Sequence, residues 1–446
     1  MNLPENVSKR GLFLAVVLGL CFGAVSIAFL AWEQAALVAV VVFLITLWCN
    51  QALPMGVVSL LPLVLFPSLT IESFNLVAVN YSKPVIFLFL GGFMLALGVE
   101  QTGLHKVIAR KMLLIFPSTS RGMLFALATT SGVMSSFLSN TSTALLLLPL
   151  GLCLTEDKKL QGRFALAIAY GASIGGIITP IGTPPNLIYY GFMEANNLKP
   201  PGFVEWISMV APLAALMMLI CGFLLGAGIK NEQLGEVESA EKMSRQQWKM
   251  AYWLIALAVL LILNAPIGSF PGLGLNEKVL LLGFGLALFF PGMEILKWEH
   301  TKKIPYEIIF LFGAGFAMAA AFESTGLADV LASSLVGIGK LSPFIVILCV
   351  AFLVTFASEV TGNTALISLM LPVLFSVTST AGLDTAVVLM VATVCSSYAF
   401  MLPIATPPNA IAMSSGAVTT LDMVKKGFLL NLFGVLLISL VAYFFW

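Results

Sequence analysis

Two short motifs in this chain have the residue types to hold small ions, and each occurs twice. Ser139-Asn140-Thr141 is matched by Gly362-Asn363-Thr364, and Thr183-Pro184-Pro185-Asn186 by Thr406-Pro407-Pro408-Asn409. The copies lie 223 residues apart in both cases. Glu100-Gln101-Thr102-Gly103-Leu104 and Glu323-Ser324-Thr325-Gly326-Leu327 keep that offset, as do Pro149 and Pro372. Matches in one ungapped register record an internal duplication. Asn and Thr side chains supply both donors and acceptors. A helix starting at such a motif presents free N–H groups and a partial positive charge, which suits an anion. A helix ending before it leaves free carbonyl oxygens, which suit Na⁺. The second motif breaks its helix. In Thr179-Pro180-Ile181-Gly182-Thr183-Pro184-Pro185-Asn186 three prolines remove three backbone donors. The break recurs at Pro403-Ile404-Ala405-Thr406-Pro407-Pro408-Asn409. Carbonyls freed near Gly182 and Ala405 would face the first motif.

The elements that position these motifs are membrane helices. The chain is 59% hydrophobic and 10% charged, with a mean hydropathy of +1.03. Soluble domains carry about 25% charged residues, so this is an integral membrane protein. Its apolar stretches have the length of spanning helices, not the short alternating segments of a membrane barrel. A net charge of +1 argues against a nucleic-acid partner. Six cysteines are scattered singly, without a CxxC pair, which speaks against a disulfide framework or metal site. His105 and His300 fall where helices leave the membrane. Gly11–Leu30 is too long for the apolar core of a signal peptide and reads as the first membrane helix.

The expected fold is an all-α polytopic membrane protein with about 11 transmembrane helices. The spans fall at about 11–31, 35–50, 53–69, 84–102, 162–196, 206–229, 250–264, 276–292, 305–324, 384–416 and 427–445. The spans at 162–196 and 384–416 are interrupted. Residues 121–155 and 343–380 are each too long for one span and short for two. Read as re-entrant hairpins, they leave five spans in each half. The odd number makes the two repeats inverted. Residues 1–34 then hold helix 1, 35–229 the first repeat, 230–249 a cytoplasmic linker and 250–446 the second repeat. With the N-terminus inside and the C-terminus outside, 18 of the 22 Lys and Arg residues face the cytoplasm. Only Lys83, Lys199, Lys278 and Lys340 face outward, as the positive-inside rule requires. Reading 121–155 as a single span would move Lys158, Lys159 and Arg163 outside.

Within the predicted spans, away from their first turns (Arg163, Lys278), there is no Lys or Arg. An anion at the motifs must be held by helix ends, amides and hydroxyls. Co-bound cations would neutralise it, because stripping water from an unpaired charge costs many kcal/mol. Glu100 and Glu323 sit near helix ends, in capping or interfacial positions. Glu359, four residues before Asn363, could tune a cation site or pair locally.

These strings resemble the divalent anion/Na⁺ symporter (DASS) family, in particular bacterial dicarboxylate transporters of the INDY type. The resemblance rests on the Asn-Thr tips, the paired Pro-rich breaks and the early Trp48…Ala52-Leu53-Pro54…Ser59-Leu60-Leu61-Pro62 string. It also rests on the signature Ser397, Phe400, Pro403, Ile404, Ala405 and Asn409. Nearly the whole chain is covered. The resemblance implies a homodimer in the plasma membrane. It implies a scaffold from helices 1–4 and 7–9, and a transport domain from the hairpins plus helices 5, 6, 10 and 11, moving as an elevator. It places a first Na⁺ at Ser135, Ser139, Asn140 and Gly182, and a second at Ser358, Thr361, Asn363 and Ala405. A dicarboxylate would meet Ser139, Asn140, Thr141, Thr183, Gly362, Asn363, Thr364, Thr406 and Pro407. The chain departs from the family at Gly362, where a Ser is usual, and at Asn50-Gln51-Ala52, where an acidic residue often precedes the Ala.

The expected function is Na⁺-coupled symport of a C4-dicarboxylate such as succinate, malate or fumarate, with Na⁺ as the co-transported ion and no organic cofactor. Exchange of dicarboxylates or other divalent anions, or carriage of citrate or sulfate, uses the same motifs. An enzyme would need a nucleophile–base set or metal ligands that the membrane segments lack. A channel would not need hairpins entering from opposite faces. Gly362→Ser is expected to add a hydroxyl and tighten dicarboxylate binding.

Overall fold

The computed structural model describes residues 9–234, 242–266, 270–327, 330, 341–381 and 383–446. Among them the chain is helical, and the one β-type contact is an isolated bridge between Thr119 and Gln233. The first half runs α1 (Lys9–Ile27), α2 (Trp32–Asn50), α3 (Met55–Leu60), α4 (Pro62–Ser68), α5 (Phe74–Val79), α6 (Pro84–Thr102) and α7 (Leu104–Leu113). It continues with α8 (Ser120–Ser135), α9 (Asn140–Leu152), α10 (Lys158–Gly176), α11 (Pro184–Ala195) and α12 (Phe203–Gly226). The second half runs α13 (Arg245–Asn264), α14 (Glu277–Ala287), α15 (Tyr306–Ser324), α16 (Pro343–Thr361), α17 (Asn363–Ala381), α18 (Thr385–Ser396), α19 (Pro407–Ser414) and α20 (Thr420–Phe445).

Among the described residues eight stretches are long and apolar enough to cross a bilayer, one of them α16 (Pro343–Thr361), an arm of the second expected hairpin; shorter apolar helices include Met55–Ser68 and α18. Each of the eleven expected spans contains helix. The third, 53–69, is one apolar helix, Met55–Ser68, with a one-residue interruption at Leu61 that divides it into α3 and α4. Proline starts a helix well because its missing N–H is one of the free ones anyway, and Pro62 opens α4. The amphipathic α7 carries Arg110 and Lys111 in its last turn and was not expected. Part of the 230–249 linker, residues 235–241, lies outside the described residues, as does Lys340.

Both odd stretches are helical hairpins. In the first, α8 and α9 pack together around a tip at 136–139; in the second, α16 and α17 pack around Gly362. The two interrupted spans are broken as expected. Residues 177–183 separate α10 from α11, and residues 397–406 separate α18 from α19. The packing between the halves fixes their relation. The first half of one broken helix lies beside the second half of the other: α10 packs on α19, and α11 on α18. Broken helices aligned that way run antiparallel, which is the geometry of inverted repeats.

Lipid tails are as apolar as leucine, so close packing rather than hydrophobic burial must hold membrane helices together. Among the described residues, the closest seat of a glycine on another helix's backbone is between α8 and α10. Gly171 and Gly175, four apart, lie on one face of α10. A Cβ at Gly175 would come 2.0 Å from the Gly132 carbonyl oxygen, and one at Gly171 2.4 Å from that of Ala128. Small residues four apart let helix backbones approach in this way. Ser131 Oγ adds a hydrogen bond across the seat to the Ile168 carbonyl, 2.6 Å. This contact fixes the first hairpin against the first broken helix.

Gly175→Ala is expected to lower stability by about 1–3 kcal/mol, the usual range for overpacking. Gly283→Ala, in α14, where an added Cβ meets nothing within 4 Å, is expected to be neutral or stabilising. Melting temperatures of the two purified variants check the contrast.

Candidate substrate and cation site

Each broken helix carries an asparagine that repairs it. Asn186 Nδ2 donates to the Thr179 carbonyl at 2.8 Å and lies 3.3 Å from that of Gly176. Asn409 Nδ2 donates to the Ala399 carbonyl at 2.9 Å and the Leu402 carbonyl at 3.0 Å. The four acceptors occupy matching positions of the two repeats. Trp206 Nε1 takes the intervening Ile177 carbonyl at 2.9 Å. Both asparagines are fully buried. Backbone broken at membrane depth needs such partners, because no water reaches it.

The hairpin tips are joined to the breaks differently in the two halves. In the first, Thr179 Oγ1 donates to the Ser136 carbonyl of the tip. In the second, Glu359 takes this place. Its carboxylate accepts the Met401 N–H at 2.8 Å, the Leu402 N–H at 3.0 Å and Asn431 Nδ2 at 2.7 Å. Glu359 is 3% exposed. It therefore pairs locally with the second break. Asn431, on α20, was missed; a buried amide in an apolar helix was the available signal.

One cavity of about 940 Å³ receives both tips and both breaks. Ser139, Asn140, Thr141, Gly182, Thr183, Thr361, Gly362, Asn363, Thr364, Ala405, Thr406 and Pro407 all line it. Residues 223 apart thus converge on one space. Ser135 and Ser358 do not line it. Ser135 is buried behind the first tip and donates to Asn140 Oδ1 at 2.6 Å. Ser358 is buried behind the second tip, with its hydroxyl 2.8 Å from the Thr355 carbonyl and 3.3 Å from that of Tyr398. Asn140 in turn packs against the first break, its Oδ1 2.8 Å from where a Cβ on Gly176 would stand.

The walls divide the chemistry. The tips are helix starts: Ser139 caps α9, accepting the Ser142 N–H at 3.1 Å, and the N–H groups of Asn140 and Thr141 have no carbonyl four residues back within the helix. These are donors for an anion. The breaks are poor in donors, because α11 and α19 each begin with Pro-Pro and proline has no N–H. They offer carbonyl oxygens at Gly182 and Ala405. Thr406 Oγ1 and Asn363 Oδ1 are buried and unpaired among the described residues. Hard cations prefer oxygen ligands of this kind. His105 and His300 face backbone groups at Val99 and Lys297, away from the cavity.

The tips also differ in backbone. Ser139 has φ −64° and ψ 142°, ordinary extended geometry. Gly362 has φ 77° and ψ 139°, a region that residues with a side chain rarely enter. A side chain at Gly362 is strained whatever hydroxyl it adds, which opposes the tighter binding expected of Gly362→Ser.

Residues 38–395 match the citrate transporter family. The chain belongs to that family. It is a multi-span membrane transporter and not an enzyme, and its resemblance to the divalent anion/Na⁺ symporters stands. The sodium-dependent dicarboxylate transporter SdcS of Staphylococcus saprophyticus is 27% identical, over 99% of this chain and 87% of its own. SdcS of Staphylococcus aureus (strain bovine RF122 / ET3-1) is 28% identical, over 93% of this chain and 86% of its own. The YdaH transporter of Alcanivorax borkumensis shares the fold, with a TM-score of 0.60 and 16% identity over 83% of this chain and 87% of that one.

Gly362→Ala is expected to reduce transport several-fold or more, although nothing lies within 4 Å of the added Cβ. The cause is backbone strain of roughly 1–3 kcal/mol. Ser139→Ala keeps its backbone geometry and is expected to lose the cap, about 1 kcal/mol, together with whatever contact its hydroxyl makes in the cavity. Initial rates of substrate uptake at matched expression compare the two.

Proposed function

We propose that this protein is a Na⁺-coupled symporter of C4-dicarboxylates such as succinate, malate and fumarate. The observation that carries the proposal is the meeting of donor-rich helix starts and acceptor-rich breaks in one cavity, once from each repeat. A dianion would take the N–H groups and side chains of Asn140-Thr141 and Asn363-Thr364, with Ser139, Gly362, Thr183, Thr406 and Pro407 around it. One Na⁺ would sit among Ser135, Ser139, Asn140 and Gly182. A second would sit among Ser358, Thr361, Asn363 and Ala405. The sodium-dependent dicarboxylate transporters among the relatives support the choice of ion and substrate.

The physical reason for coupling is charge. No Lys or Arg lines the tips or the breaks. A dianion leaving water there needs compensating charge, and the carbonyl oxygens of the breaks can hold cations but not the anion. Cation and anion sites share Asn140 and Asn363, so each occupant makes the other's site more favourable. Such coupling is reciprocal by linkage.

The motion we propose is an elevator. The hairpins with α10, α11, α12, α18, α19 and α20 carry the site. The helices α1–α6 and α13–α15 form a scaffold that dimerises with a second copy in the plasma membrane. The N-terminus lies in the cytoplasm and the C-terminus outside, as the distribution of Lys and Arg supports.

Proteoliposomes with an inward Na⁺ gradient are expected to accumulate labelled succinate, and those with K⁺ alone are not. Asn140→Ala and Asn363→Ala are each expected to abolish this uptake in folded protein. Uptake indifferent to Na⁺ with succinate exchanging for succinate would replace symport by exchange. For orientation, a cysteine at Lys158 is expected to react with a membrane-impermeant maleimide only from the cytoplasm, and one at Asn197 only from outside. Reaction of both from one face would remove the inverted arrangement.

A further inference from the structure

The cavity of about 940 Å³ is far larger than a four-carbon dianion, so it contains a vestibule beyond the tips. Its lining is apolar over much of that space, with Phe89, Phe93 and Leu97 along α6. Two fully charged side chains line it among the described residues, Lys303 and Glu100. Lys303 closes a short 3₁₀ turn, Trp298–Lys303, that leads into Pro305 and α15. Its side chain is exposed, and it has no ion-pair partner among the described residues. Glu100 ends the face of α6 that lines the cavity, through positions 89, 93, 97 and 100.

Among the described residues, a dianion travelling between tips and water meets no other Lys or Arg on the cavity wall. Charges at the mouth of a low-dielectric cleft focus the field and concentrate ions of opposite sign. The reach of that field is about 8–10 Å at physiological salt and about 3 Å at 1 M. Lys303 can therefore draw a carboxylate to the mouth without holding it at the tips. Glu100 disfavours the dianion on its own wall and favours cations there.

We propose that Lys303 is a transit contact for the dicarboxylate. Its ammonium takes a carboxylate as the dianion enters or leaves the open side of the cavity, before or after the tips bind it. This rests on the dicarboxylate reading above. With the N-terminus inside, Lys303 belongs to the cytoplasmic face, so the contact acts on cytoplasmic substrate. It is a positioning residue for passage and forms no part of the bound complex at the tips.

The test uses the full-length protein in inverted and right-side-out membrane vesicles, with labelled succinate at fixed Na⁺. In inverted vesicles at low ionic strength, Lys303→Gln is expected to raise the half-saturating succinate concentration about 3- to 10-fold, and Lys303→Glu to raise it further. Lys303→Arg, which keeps the charge, is expected to stay near the parent. Added choline chloride is expected to shrink the difference by screening. Right-side-out vesicles are expected to show no change, and the Na⁺ midpoint is expected to stay fixed. Parent-like half-saturation for Lys303→Glu in inverted vesicles would overturn the proposal. So would a loss equal in both vesicle types, indifferent to salt and shared by Lys303→Arg, which marks a structural role. A parent protein that moves no succinate would remove the dicarboxylate reading and this contact together.

Discussion

A backbone broken in the middle of a bilayer has no water to bond, and the centre of this protein is organised around that constraint. Two helices are interrupted at 177–183 and 397–406. Each interruption frees several carbonyls and, through its prolines, fewer N–H groups. Asn186 and Asn409 bond the carbonyls at matching positions. Trp206 takes one more. In the second half Glu359 bonds the freed N–H groups of Met401 and Leu402. Gly182 and Ala405, at the centre of the breaks, line the cavity. A hydrogen bond left unmade in an apolar interior costs about 1–3 kcal/mol per group, so such groups persist where a ligand can complete them.

The two halves reach the same site by different packing. In the first, Gly171 and Gly175 seat α10 directly on α8. At the matching positions of the second half stand Val394 and Tyr398, and there the backbones cannot come so close. Tyr398 packs instead against Gly434 of α20, and Asn431 of the same helix holds Glu359. Small residues in one repeat and a buried charged network in the other thus do the same task.

This difference explains what the sequence made legible. The motifs that face the cavity are written twice, so their register gave the hairpins, the breaks and the converging residues. Inverted topology followed from loop charges because lysines and arginines at membrane faces obey one rule for any fold. Some supports behind the site recur in register, as Asn186 and Asn409 do, and others occur once. Asn431 and the Glu359 network could not be found by matching repeats, since Ser208 and Ser136 stand at the corresponding positions. The break at Leu61 hid for another reason. Pro62 follows an apolar run without a gap, and proline is at home both inside kinked membrane helices and at helix starts.

Gly362 shows how a residue type can be misread when its backbone is unknown. Compared with Ser139, it lacks a hydroxyl, and a hydrogen bond to a carboxylate is worth about 1.5–3 kcal/mol. Its φ of 77° carries a penalty of similar size for any residue with a Cβ. The two effects oppose each other in a serine variant, and the backbone term acts whether or not substrate is bound. The second tip therefore presents its N–H groups through a turn that only glycine makes easily, while the first presents them through a serine cap. The two ends of a site built by duplication are thus chemically unequal, one a serine cap and the other a glycine turn.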